Sequence, residues 1–174
     1  MPDAFSGAVT VEVDKLHVLS NEAALKIVDA AARELGAELL KRAITYLERL
    51  VYTRPNSVVT SDKLDTAPEP TGALMNSGYL KTFTGELPPG AKSQQEAESS
   101  ARASSSEVVF GQAPPGPSRL GQVQVLFAVE YGLYVEMGTV FMAARPFLQP
   151  SADEVSQFAE KFVKAKLLEA GFSV

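Results

Sequence analysis

The sequence predicts an α+β fold: an antiparallel sheet packed with a long N-terminal helix and a C-terminal helix. Three observations predict it. Apolar residues recur at helical spacing from about residue 20 to residue 52. Several strand-like segments then follow one another, which favours antiparallel pairing in one sheet. An amphipathic helix with clear start and stop signals closes the chain. The 174 residues suffice for one ordinary core, so residues 1–174 are read as a single domain with a mobile loop at 85–106.

Val9, Val11 and Val13 alternate with Thr10, Glu12 and Asp14, the period of a half-buried strand. The long helix follows, with Ser20 or Asn21 as its cap and Glu22 in the first turn, where a negative charge suits the dipole. Val28, Ala31, Leu35, Leu39, Ala43, Leu47 and Leu50 form its apolar side. Such a rod would be about 45 Å long, which suits either a core helix in an elongated domain or one that also packs against a neighbouring subunit. Arg54-Pro55 should end it, because a residue before proline avoids the α region.

A polar stretch with Pro68 and Pro70 leads to a short strand at Tyr79–Thr84. Residues 85–106 carry almost no large apolar side chain, so they are expected to form the mobile loop, although 94–103 has helix-forming composition. Glu107–Phe110 is a short strand candidate, and the Ala113–Pro117 run is a proline turn. In the strongest strand, Gln122–Val129, residues Val123, Val125, Phe127 and Val129 share one face. Leu126 and Ala128 make the other face apolar too, so both faces are candidates for burial. For the last helix, Pro150 sets the approach and Ser151-Ala152-Asp153-Glu154 reads as a capping box. Val155, Phe158, Ala159, Phe162, Val163 and Leu167 form its stripe, and Gly171 supplies a left-handed stop with Phe172 folding back.

Composition narrows the chemistry. The chain has no cysteine, which removes disulfides and thiolate metal sites. Its single histidine, His17, is expected at the surface, so convergent zinc ligands are lacking and a histidine-based triad would have to use His17 itself. No P-loop, nucleophile elbow or dinucleotide-binding glycine pattern occurs. The net charge of −5 opposes gripping phosphate backbones or anionic membranes, and favours protein partners. No apolar run is long enough to span a bilayer. Met1-Pro2-Asp3-Ala4 lacks a signal-peptide pattern, so the product is expected to stay where it is made. Glu130 and Glu136, flanking Tyr131–Val135, are the one carboxylate pair to weigh for acid–base hydrolysis. Tyr131, Tyr134, Phe141 and Phe147 are candidates for base stacking in a DNA-binding accessory role, but they lack a basic surround.

Two stretches carry a family resemblance. The first is Tyr131-Gly132-Leu133-Tyr134-Val135-Glu136-Met137-Gly138-Thr139, continued by Ala143-Ala144-Arg145-Pro146-Phe147-Leu148-Gln149-Pro150-Ser151. The second is Ala67-Pro68-Glu69-Pro70-Thr71-Gly72-Ala73-Leu74-Met75-Asn76-Ser77. In this order after a long helix, they resemble the neck and tail-completion family of siphovirus-type tailed bacteriophages, minor tail proteins of head–tail joining. The family's motif residues fall here on Thr71, Gly72, Leu74, Ser77, Tyr131, Tyr134, Val135, Glu136, Gly138, Thr139, Arg145, Pro146, Phe147 and Pro150. Pro70 stands where the family usually has aspartate, leaving Thr71 to serve as the cap; the 85–106 insertion and the proline turn are also departures.

The resemblance implies a structural subunit without catalytic residues or cofactor. It implies a homo-oligomeric ring in the virion, hexameric by preference and dodecameric as the alternative. The ring would be assembled in the host bacterial cytoplasm, with DNA passing through its lumen. The implied neighbours are connector or stopper, tail terminator and tail tube proteins. Read from the residues, the first stretch is a joint. Gly138 permits a backbone shape closed to other residues, Glu136 accepts from free amides or from Arg145, and Arg145-Pro146 delivers Phe147 and Leu148 to the last helix.

Overall fold

The computed structural model describes residues 8–12, 21–52, 71–140 and 143–173. His17, the Arg54-Pro55 stop, Pro68, Pro70 and Phe141 lie outside these residues. In chain order the elements are β1 (Ala8–Glu12), α1 (Glu22–Leu47) running into a π turn (Glu48–Tyr52), α2 (Ala73–Asn76), β2 (Gly78–Thr82), α3 (Gln94–Ser104), β3 (Gln122–Phe127), α4 (Gly132–Met137) and α5 (Leu148–Glu169). The fold is α+β, as the sequence predicts.

β3 is the middle strand, antiparallel to both neighbours in the order β1-β3-β2. Val9 faces Val125 on one side and Leu80 faces Val125 on the other. The expected strand at Glu107–Phe110 shrinks to a single bridge between Phe110 and Val129. The alternation in β3 sorts its side chains as read: Val123, Val125, Phe127 and Val129 join the main core, while Leu126 and Ala128 form a smaller cluster with Tyr79 on the opposite face.

α1 lies across the main face. The Asn21 side chain accepts from Ala23 N–H at 2.9 Å, and Val28, Ala31, Leu35, Leu39, Ala43 and Leu47 are all buried. Its 26 residues make a rod of about 39 Å. Gly36 lets the helix approach β3: a Cβ there would sit 2.7 Å from Val123 Cγ1. One carboxylate, Asp29, lies on the buried side. It accepts from Gly121 N–H at 3.0 Å and pairs with Arg33 at 3.2 Å, so the charge is matched where it enters the core.

α5 runs antiparallel beside α1. Near its start Glu154 accepts from Tyr46 Oη at 2.6 Å and bonds Arg42; near its end Lys166 pairs with Glu34 at 2.9 Å. Val155, Val163 and Leu167 are buried between them, with Phe158, Ala159 and Phe162 half-buried. The stop is as read. Gly171 takes φ +86, Phe172 N–H donates to Leu167 O at 3.0 Å, and the Phe172 ring packs on the core.

The 85–106 stretch departs from expectation. In place of a mobile loop it holds α3, opened by a full capping box between Ser93 and Glu96. The expectation failed because it asked for large apolar residues. α3 instead buries two alanines, Ala97 in the small cluster with Tyr79, Leu126 and Ala128 and Ala101 in the main core, and their small side chains let the helix lie close. The sheet supplies the bulk and α3 supplies the fit. Burial there pushes the Tyr79 phenol up to about 12, with the nearby Glu98 charge adding to it.

Two outcomes test this packing. Gly36→Ala gains about 1 kcal/mol of helix propensity but forces a methyl against stiff, β-branched Val123, at an overpacking cost of about 1–3 kcal/mol. The expected net result is a lower urea midpoint, and a raised one would disprove the close contact. The second outcome concerns acid. The Tyr46 hydroxyl and the Arg42 guanidinium hold the Glu154 carboxyl below its usual range. Its contribution is therefore complete above the unfolded carboxyl value of about 4.3 and is lost as pH falls through the lowered folded value. The stability gap between wild type and Glu154→Gln should hold steady above about pH 5 and shrink as pH falls below about 4.3; a gap that stays constant into acid would exclude the linkage.

Candidate functional site

The segment from Tyr131 to Ser151 leaves β3 through the Phe110–Val129 bridge and turns into the short helix α4. Glu130 takes part through its backbone: its N–H donates to Val109 O at 3.0 Å and its carbonyl accepts from Leu133 N–H at 3.4 Å. Gly138 ends α4 with φ 74 and ψ 175, a conformation that L side chains rarely adopt, which is why glycine is needed there. Val135 is buried in the core, whereas Thr139 and Pro146 are exposed.

The Glu136 carboxylate is the centre of the joint. Its Oε2 accepts from Phe147 N–H at 2.8 Å and Leu148 N–H at 3.0 Å, and its Oε1 accepts from Gln149 N–H at 2.9 Å. α5 begins at Leu148, three residues before the expected capping box. The next residue in line, Pro150, has no N–H to satisfy. One carboxylate and one proline thus account for the open donors of the first turn, and the negative charge sits at the positive end of the helix dipole. The Ser151–Glu154 capping box does not form. Ser151 is already inside the helix, donating to Phe147 O at 2.6 Å, and Glu154 turns to α1. A cap supplied from eleven residues upstream displaces a local one because it satisfies three amides instead of one.

The chain between these anchors is closed a second time. Arg145 N–H donates to Val135 O at 2.8 Å, so residues 135 and 145 meet across the loop. Phe147 then enters the core edge-on to Phe127, with ring centroids 5.0 Å apart and planes at 83°.

Thr71–Ser77 docks on the same place. The Tyr131 hydroxyl oxygen accepts from Leu74 N–H at 3.1 Å, and the Thr71 side chain also bonds it. Burial raises the Tyr131 phenol while the Leu74 and Thr71 bonds oppose that rise. Thr71 serves as the local cap, accepting from Ala73 N–H at 3.3 Å. Gly72 takes φ 80 ahead of α2. Gly132 is glycine because a Cβ there would meet Leu74 Cδ1 at 2.9 Å. Ser77, fully buried, donates its hydroxyl to Leu74 O at 2.8 Å, and its carbonyl accepts from Ala128 N–H at 3.0 Å. Two stretches more than fifty residues apart therefore form one unit, a contact that spacing alone did not reveal.

On the outside of the joint, Tyr134, Met137 and Val140 are 48%, 72% and 72% exposed. No charged residue occurs from Met137 to Ala144. A different feature, an open depression of about 480 Å³ lined by Lys92, Gln95, Glu96, Ser99 and Ser100, lies along α3. Among the described residues no group of three or more His, Cys, Asp or Glu is placed to hold a metal, and no helix is long and apolar enough to cross a membrane.

Asp29 and Glu154 were missed as tie points. Asp29 carried a readable signal, a carboxylate on an apolar helical stripe with arginine four residues on; Glu154 was masked by the capping-box pattern. No known protein family, curated protein or solved structure matches the chain.

Removing the carboxylate tests the joint. Glu136→Ala strands three amides at the start of α5 and should cost about 2 kcal/mol, read from the urea midpoint. Tyr131→Phe should cost about 1 kcal/mol. A Glu136→Ala protein as stable as wild type would refute the cap.

Proposed function

We propose that the chain is a non-catalytic structural subunit of the head–tail junction of a tailed bacteriophage, a neck or tail-completion protein assembling as a ring through which DNA passes. The observation that carries this reading is the convergence of the two family-like stretches. Thr71–Ser77 and Tyr131–Pro150 bond to each other through Tyr131 and Leu74, and Glu136 ties their product to α5. Residues that match a motif and also hold one another in place support a shared fold, which is what a family pattern encodes.

The surface supports an assembly role. A pinned, uncharged loop presenting Met137 and Val140 suits protein contact better than a catalytic cleft, because apolar side chains held outward are a feature of interaction surfaces. Both oxygens of Glu136 bond backbone amides, an arrangement that suits a cap. The net charge of −5 suits a lumen that lets DNA slide without adhering. On this reading acidic residues line the channel. The ring is closed by a heterologous interface using α1 or the sheet edges, preferably sixfold. Its neighbours are connector or stopper proteins on one side and tail terminator or tail tube proteins on the other, and its location is the virion.

Mass measurement of the purified protein, alone and with those neighbours, should show a closed oligomer, and electron microscopy should place it in the virion neck. Monomer under every condition, or a neck without this subunit, overturns the reading. A strongly basic channel removes the lumen assignment.

A further inference from the structure

We propose that Arg33 is an ionic latch holding both stems of the excursion between β2 and β3 on one turn of α1, with an outer catch that salt opens and an inner catch that salt leaves shut. The latch is a property of the single chain and does not depend on a ring.

The excursion, residues 83–121, leaves β2 and returns to β3. Between its stems it carries α3, whose Ala97 packs with Tyr79, Leu126 and Ala128 on the face of the sheet away from α1. Both stems nevertheless come back to α1. In the first, Glu86 Oε2 meets Arg33 Nη1 at 2.6 Å. At the end of the second, Gly121 donates its N–H to Asp29 Oδ1 at 3.0 Å. Asp29 and Arg33 are four residues apart on the helix, and Arg33 Nε stands 3.2 Å from Asp29 Oδ2. That nitrogen is buried and has no aligned hydrogen-bond acceptor, so it meets Asp29 through charge. One guanidinium thus serves two carboxylates, which its fork of donors allows. The second stem is also seated closely. Gly121 holds φ +80, and a Cβ there would stand 3.3 Å from Val28 Cγ1.

The two catches differ in exposure, and exposure sets their response to salt. The Asp29 side chain is 2% exposed and that of Arg33 20%, whereas that of Glu86 is 71% exposed. At about 1 M salt the Debye length falls to about 3 Å, which screens an exposed pair and a buried one much less. An exposed pair is also weak to begin with. The outer catch therefore yields first. It frees only a short stretch, residues 84–86, because Leu87 packs on the main core. The inner catch behaves differently. Without Arg33, Asp29 would be an unmatched buried charge, which is strongly destabilising.

Amide hydrogen exchange of the full chain, followed by NMR, reads the catches separately. Gly85 and Glu86 report the outer one, since their N–H groups bond within the stem, to Thr82 O and Thr84 Oγ1 at 3.4 Å. Gly121 reports the inner one, and Val125, in the middle of β3, reports global opening. From about 50 mM to about 1 M NaCl, exchange at Gly85 and Glu86 relative to Val125 should rise about two- to fivefold, the weight of an exposed pair. Gly121 should not change. Glu86→Gln should give that rise at low salt and remove the salt response. Arg33→Gln should do the same and also speed Gly121 relative to Val125 by at least about tenfold. No salt response in the wild type, or one that survives Glu86→Gln, overturns the outer catch. Equal responses at Gly85 and Gly121 overturn the division between the two. If Arg33→Gln does not fold, Arg33→Lys takes its place. A single ammonium matched to Asp29 should keep Gly121 slow and leave Glu86 unpaired, and the reverse pattern overturns the latch.

Discussion

Every helix begins with amide groups that its own carbonyls cannot reach, and the start of α5 lies against the core, where Phe147 and Leu148 are buried. Those amides need acceptors. Glu136 meets the need from α4 with one side chain, and Pro150 removes the remaining donor. Other features follow from holding Glu136 in reach. α4 has to stop at once, hence Gly138 in its left-handed shape; the loop has to return, hence the Arg145–Val135 bond; and Phe147 has to lock the return against Phe127. α5 then leaves the joint at a fixed angle and can lie along α1, where Glu154, Arg42 and Tyr46 bond across the helices.

The same constraint explains the reach of Tyr131. A cap is only as well placed as the element that carries it, and α4 is a short helix of six residues with little stability of its own. It is fixed by burial of Val135 below and by the Tyr131–Leu74 bond at its start. Gly132 allows Leu74 to sit directly on the backbone. The Thr71–Ser77 stretch thus braces the helix that caps α5. This mutual dependence gives two separated motifs a physical reason to occur together.

Much of this was legible in the residues, for a reason that differs by element. The periodicity of α1, β3 and α5 reports burial directly, so their faces read correctly. Glu136 as an acceptor for free amides was readable from a carboxylate ahead of a proline-led helix, and Gly138 from the backbone shape that only glycine permits, although α4 itself was not foreseen. The first residue of α5 was not readable. Ser151 and Glu154 present a valid local cap, and only the long-range offer from Glu136 shows that it loses. α3 was hidden because its burial comes from small alanines fitting surfaces made elsewhere in the sequence, Ala97 beside Tyr79, Leu126 and Ala128 and Ala101 in the main core. The Tyr131–Leu74 contact was hidden because nothing local records which amide a tyrosine will find.

The division of labour within the joint bears on what its surface is for. Glu136, Val135, Arg145 and Phe147 hold the loop by its base, largely through backbone hydrogen bonds, and these do not depend on the side chains at the tip. Met137, Val140, Ala143 and Ala144 are all exposed, and none of them joins the core. A loop anchored in this way tolerates apolar residues outside because its shape does not require them to turn in. Leaving them outside exposes apolar surface to water, at roughly 25 cal/mol for each Å² that a partner would otherwise cover. That cost persists wherever the tip faces water. On the proposed assembly role a partner would cover this uncharged tip, while the folding work is confined to the residues behind it.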